Sequence, residues 1–171
     1  MLFSIAYRGD AGGASADYNE LRSQESMISI IVPCYNEQEA LPFFHEEISR
    51  VLKEIGEDYE LLFVNDGSKD DTLKELKALS TKDPHVIYLS FSRNFGKEAA
   101  MYAGFCNAKG DYIAVMDADL QDPPALLPEM LKMLETDEYD SVATRRVSRE
   151  GEPPIRSWFA RRFYDIMNRI S

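Results

Sequence analysis

The chain has 171 residues, 44% of them hydrophobic and 29% charged, enough for one domain with a buried core. No run approaches the roughly 18 apolar residues that would suggest a membrane helix, and the start, MLFSIAYRGD, lacks the basic region and cleavage site of a signal peptide. The net charge of -11 argues against general nucleic-acid binding, although residues 141–171 hold seven Arg against three acids.

Residues 1–27 are rich in Gly, Ala, Ser and Asp without a sustained period, and read as a loose leader. From residue 28 a rhythm starts. ISIIVP (28–33) reads as a buried strand, followed by a helix with Leu41, Phe44, Ile48, Val51, Leu52 and Ile55 at spacings of three and four. YELLFVN (59–65) is a second strand, and DDTLKELKAL (70–79) a helix with Leu73, Leu76 and Leu79 on one side. VIYLS (86–90) is a third strand, and KEAAMYAGFCNA (97–108) a helix of small residues able to lie close to a sheet. YIAVM (112–116) is a fourth strand, and ALLPEMLKMLE (125–135) begins a helix whose Pro124 fits a first-turn position. DSVATR (140–145) reads as a fifth, shorter strand. This alternation predicts a three-layer α/β/α domain over 28–150, Rossmann-like, with a mostly parallel sheet and helices on both faces. The last segment, 151–171, reads as a basic amphipathic helix. Phe159, Phe163, Ile166 and Ile170 form its apolar stripe, which suits either an anionic membrane surface or packing on protein. Cys34 and Cys106 form no C-x-x-C pair and read as buried free thiols, which suits a reducing cytoplasm. His45 and His85 are too few and too scattered for a zinc site, and read as solvated surface residues.

Each strand ends in polar or turn-forming residues just before the next helix: PCYNE (33–37), NDGSKDD (65–71), SRNFGK (92–97) and DADLQD (117–122). In an open parallel sheet all four stretches share the edge where ligands bind. If 117–121 stays extended, Asp117, Asp119 and Gln121 line one side, with Ala118 and Leu120 on the other. Two carboxylates and an amide oxygen suit a hard cation such as Mg2+ or Mn2+, which would also cancel their mutual repulsion. Alternatively Asp122 caps the next helix and the others are solvated turn residues. Asp66 at a strand end can accept hydrogen bonds from ribose or a base edge, and Asp70 or Asp71 suits a helix cap or first-turn acid. Tyr35 offers a ring to a nucleobase and Glu37 an acceptor, or Asn36 and Glu37 start a helix. Arg93 and Lys97 could meet phosphate oxygens, or pair with the local acids.

IIVPCYNE, FVNDGSKDDT, SRNFGKEAAMYAG and DADLQDPP, in this order and spacing, resemble family 2 glycosyltransferases of the GT-A fold over residues 27–171. The nearest subgroup is the polyprenyl-phosphate sugar transferases, such as dolichyl-phosphate mannose synthases and bacterial undecaprenyl-phosphate glucosyltransferases. The resemblance implies a membrane-associated enzyme at the cytoplasmic face. It would move a hexose, with inversion and metal dependence, from a UDP- or GDP-sugar to a polyprenyl phosphate. It implies nucleotide contacts from Pro33, Tyr35, Glu37, Val64, Asp66, Asp117 and Ala118, and metal ligands in Asp119 and Gln121. Arg145 would meet the diphosphate or sugar. Family members continue with a further Asp near the acceptor, so the expected base lies beyond Ser171. Two other readings are a catalytically incomplete nucleotide-sugar-binding fragment and a family 2 transferase with a glycan acceptor. Haloacid-dehalogenase-like phosphatases also carry Asp-x-Asp after a strand, but early in the domain rather than after a fourth strand.

Overall fold

The computed structural model describes residues 4–7, 26–136 and 139–144. Six strands form one sheet: β1 (Ser4–Tyr7), β2 (Met27–Cys34), β3 (Asp58–Asn65), β4 (Val86–Ser90), β5 (Tyr112–Val115) and β6 (Ser141–Ala143). Between them lie α1 (Leu41–Ile55), α2 (Thr72–Lys82), α3 (Lys97–Asn107) and α4 (Leu127–Glu135), the last preceded by a 3-10 turn over Pro124–Leu126. The strand order is β4-β3-β2-β5-β1-β6. β2 is central, with Ile30 opposite Leu61 of β3 on one side and Ala114 of β5 on the other, both parallel. Its Ile- and Val-rich run is buried on both faces, as a parallel strand between helical layers requires.

The first face, with Ile28, Ile30, Val32, Leu61, Phe63 and Ala114, meets α1, α2 and α4 through Phe44, Ile48, Leu76, Leu127 and Leu131. Phe44 stands edge-on to Phe63, centroids 6.0 Å apart. The second face carries Ile31 and Leu62 beneath α3. A Cβ on Gly104 would sit 2.4 Å from Ile31 Cγ2, so the helix of small residues does lie tight on the sheet. Gly104→Ala is therefore expected to overpack this layer, costing about 1–3 kcal/mol by denaturant unfolding. An unchanged midpoint would contradict that packing.

Two expectations need correction. Ser4–Tyr7, read as part of a loose leader, is a strand inserted antiparallel between β5 and β6. The short strand expected at 140–145 is present over Ser141–Ala143 and pairs antiparallel with β1. Cys106, read as buried, is exposed on α3, whereas Cys34 is buried.

The histidines, read as scattered, share one partner. His45 Nε2 lies 2.8 Å from one Asp83 oxygen and His85 Nδ1 2.7 Å from the other, with Tyr59 stacked on His85 at 4.3 Å. Burial pushes the Asp83 carboxyl up, but the His85 amide and the two imidazoles outweigh it and hold the group below the ordinary aspartate value. A depressed carboxyl contributes stability at neutral pH that is lost as pH falls through its folded value. Asp83→Asn should lower stability by about 1–3 kcal/mol near pH 7, and the deficit should shrink in acid. A deficit independent of pH would rule out the carboxylate as its source.

Candidate functional site

Because β2, β3, β4 and β5 run parallel, the loops after them emerge on one edge of the sheet. These loops are laced together by their own polar groups. Asn36 adopts a left-handed backbone, φ 58°, which Asn tolerates better than most residues. Its amide donates to Ser68 Oγ at 3.0 Å and its Oδ1 accepts from the Lys69 amide at 2.8 Å. The Glu37 amide donates to Thr72 Oγ1 at 2.8 Å, and Gln38 Oε1 accepts from the Asp71 amide at 2.8 Å. Asp70 Oδ1 accepts from the Thr72 amide and hydroxyl at the start of α2. Burial raises the Asp70 carboxyl, but its hydrogen bonds from Thr72 and Gln38 prevail and hold it below the ordinary aspartate value.

Asp66 joins the second loop to the third. It is buried, and its two oxygens accept from the Phe95 amide at 2.7 Å and the Gly96 amide at 2.9 Å. Gly67 beside it has φ 64° and packs directly on the Arg93 and Asn94 backbone. From Gly96 the chain enters α3, whose first residue, Lys97, forms an ion pair with Asp117. The four loops thus form one connected rim.

Within that rim lies a cleft of about 390 Å³, in the range of small-molecule sites. Of the expected residues, Pro33, Tyr35, Glu37, Asp66, Lys97, Asp117, Ala118 and Asp119 line it. Val64 is fully buried in β3. Arg93 is outside the lining, its guanidinium 4.7 Å above the Phe95 ring. Gln121 is exposed and also outside the lining. Arg145 and residues 151–171 lie outside the described residues. Cys34, Asn94, Gly96 and Ala100 line the cleft without having been singled out as site residues. Asn94 and Gly96 sit inside a motif read for its charges, and Ala100 follows Lys97 by one helical turn.

The acidic loop does not stay extended. The chain turns at Ala118–Asp119 and Leu120 takes φ 56°, a left-handed conformation that costs a Leu about 1–2 kcal/mol. Asp119 Oδ1 accepts from the Gln121 amide at 3.1 Å, and Leu120 packs against the core, which together hold the turn. Asp117 and Asp119 therefore reach the cleft by a turn rather than by strand alternation. Asp122 is buried, and the helical turn after it has no side-chain cap.

The acids repel one another. Burial first, then Asp119, Asp117 and Asp70, push the Glu37 carboxyl up against the opposing pull of Lys97. Burial, with Glu37 and Asp117, also pushes the Cys34 thiol up, so it stays protonated and is no nucleophile. A raised Glu37 costs the folded state stability as pH climbs from the ordinary glutamate value through the raised one. Glu37→Gln should therefore melt higher than the parent protein near pH 8 without ligand, with the gap closing below about pH 4. A gap of opposite sign would show that Glu37 is stabilised by partners instead.

The family model described as Glycosyl transferase family 2 matches residues 29–170. The chain belongs to glycosyl transferase family 2. It is 45% identical over 146 residues to CsbB of Bacillus subtilis (strain 168), covering 85% of this chain and 44% of that protein. It is 40% identical over 144 residues to the prophage bactoprenol glucosyl transferase homolog of Escherichia coli (strain K12), covering 84% of this chain and 47% of that protein. The chain thus spans less than half the length of these curated relatives. Among solved structures, mannosyltransferase PcManGT from Pyrobaculum calidifontis, in complex with GDP-Man and Mn2+, superposes with a TM-score of 0.55 at 22% identity. That match covers 66% of this chain and 33% of the other, and with it the expected GT-A architecture is shown. In this family 2 domain no described helix is long and apolar enough to cross a membrane.

Proposed function

We propose that the cleft holds a nucleotide diphosphate sugar together with Mg2+ or Mn2+, and that the whole protein transfers the hexose, with inversion, to a polyprenyl phosphate. The observation that carries this reading is the meeting of Tyr35, Lys97, Asp117 and Asp119 in one cleft, at the sheet edge where α/β folds bind nucleotides. The E. coli relative's name, a bactoprenol glucosyl transferase homolog, supports the acceptor class. The GDP-Man and Mn2+ bound to the mannosyltransferase support the donor class and a divalent cation.

The donor set fits such an ion. Mg2+-like cations take one or two carboxylates and complete their shell with water and substrate phosphates rather than with an all-protein cage. Asp117 and Asp119 supply those carboxylates from a cleft whose crowded acids already push Glu37 toward its neutral form. Gln121, expected as a third donor, enters the set only by turning inward from the surface. When bound, the cation offsets negative charge developing on the departing diphosphate.

The protein's own groups do the rest. Tyr35 is 40% exposed and offers its ring to the base. Asp66 acts by fixing the 93–96 loop, since both of its oxygens hold amides there. Lys97 and the positive end of α3 face the diphosphate. A phosphate acceptor, with a second pKa near 6, is already largely anionic at neutral pH and demands little of a general base. Residues 151–171, basic and amphipathic in sequence, would rest at the cytoplasmic membrane surface.

The test is a thermal-shift series with UDP, GDP and their sugars, in Mn2+ or in EDTA, followed by transfer assays on the whole protein with polyprenyl phosphate and glycan acceptors. A metal-dependent rise in Tm and a glycosylated lipid are expected. No shift with any nucleotide would sink the site assignment, and product with the glycan alone would move the acceptor class.

A further inference from the structure

The Lys97–Asp117 ion pair spans the cleft proposed for the nucleotide and metal. Among the described residues lining that cleft, Glu37, Asp66, Asp117 and Asp119 are acidic and Lys97 alone is basic. Asp66 already accepts from the Phe95 and Gly96 amides, and Lys97 pairs with Asp117. Its place is otherwise unfavourable, because the first position of a helix is the positive end of the dipole and repels a cation. Asp117 offsets that repulsion. Both side chains stay partly open to solvent, Lys97 at 31% and Asp117 at 24%, so the pair can exchange partners without unpacking the core. An ammonium on a four-carbon stem is a mobile point charge, able to leave one oxygen anion for another.

We propose that Lys97 is an exchangeable counter-ion that couples the two ligands of the cleft, a role that rests on the nucleotide-diphosphate reading above. While it holds Asp117, that carboxylate is closed to a lone divalent cation. A diphosphate draws the ammonium onto its own oxygens and opens Asp117 to the cation. Metal and nucleotide then bind as a pair, each tightening the other by the same factor, as linkage requires. The benefit is selectivity: the acidic cleft resists filling by free cations in the absence of the substrate.

Mn2+ binding is read by the EPR signal of the free ion, and UDP and GDP binding by calorimetry, on the full chain. In the parent protein UDP or GDP should tighten Mn2+ by about 10- to 100-fold, and Mn2+ the nucleotide equally. Lys97→Met should bind Mn2+ alone more tightly, bind the nucleotide alone more weakly, and cut the coupling severalfold, down to what direct contact between metal and phosphate supplies. Lys74→Met removes the same charge from the exposed face of α2 and should change none of these. Asp117→Asn should release Lys97 from this pair, so nucleotide without metal binds more tightly while the coupling falls. This variant also answers the question should Lys97→Met fail to fold.

A purely structural lysine would weaken both ligands when replaced, and a static phosphate clamp would weaken the nucleotide without tightening lone Mn2+. Either pattern overturns the counter-ion role while leaving the cleft reading intact. A parent protein that binds neither nucleotide in Mn2+ overturns the cleft reading itself.

Discussion

Asp119→Ala should lower the affinity for UDP or GDP measured in Mn2+ by about 100-fold, or ~2.7 kcal/mol, while leaving the fold intact. The residue is exposed, so its truncation leaves no cavity. Its Oδ1 accepts the Gln121 amide, so a small local loosening of the turn is expected and no global loss of stability. The large effect falls on binding because a cation bridging to phosphate loses one of its few protein ligands. In EDTA the parent and the variant should bind the nucleotide alike, apart from the repulsion that Asp119 no longer exerts. Gln121→Ala, outside the cleft lining, should change affinity less than about threefold. Calorimetry with and without Mn2+ separates these cases. Equal losses in Mn2+ and in EDTA would assign Asp119 to the nucleotide rather than to the metal.

Gly67→Ala should be the most damaging small substitution in the rim. A Cβ there would lie 2.2 Å from the Arg93 carbonyl carbon and 2.5 Å from the Asn94 nitrogen, both backbone atoms that cannot rotate away. The left-handed φ of 64° adds its own penalty for any L side chain. Relief demands that the 66–68 and 93–96 loops part, which breaks the Asp66 bonds to Phe95 and Gly96. A cost of about 3 kcal/mol corresponds to a Tm fall of roughly 6–12 °C in a domain of this size. Because α3 starts at the end of that loop, Lys97 would shift with it, and nucleotide affinity should fall together with stability. Asp66→Ala tests the same junction without the clash, removing two amide partners and costing about 1–3 kcal/mol. A Gly67→Ala protein melting within a degree of the parent would show that the loops are not in contact in solution.

The parts of the fold that the sequence made legible are those with local signals. The Ile/Val run of β2, the three-and-four spacing of Leu41 to Ile55, and the polar loop after each strand located the core strands, the helices and the rim. What escaped depends on contacts far apart in the chain. Ser4–Tyr7 is four residues without strong alternation, and it becomes a strand only because β5 and β6 leave a gap for it. His45 and His85 lie 40 positions apart and meet only through Asp83 at the end of α2. Asp66 read as an acceptor for ribose or a base edge, and nothing local showed that its oxygens also hold amides 29 and 30 residues onward. Leu120 has no intrinsic preference for the left-handed region, so DADLQD left extended and turn conformations both open; packing of that side chain on the core selects the turn. Exposed Cys106 shows the converse limit: α3 has one buried stripe, at Ala100 and Gly104, and small residues alone do not reveal which side faces the sheet.

The proposed site takes a divalent cation and a diphosphate together at Asp117 and Asp119, in the cleft at the carboxyl edge of the sheet. Anomalous diffraction from crystals soaked with Mn2+ and UDP or GDP is the decisive test. A manganese peak is expected within about 2.0–2.2 Å of an Asp119 oxygen, joined to phosphate oxygens, with the Lys97 ammonium moved off Asp117. A manganese and a nucleotide bound elsewhere on the chain, with Lys97 still on Asp117, would contradict it.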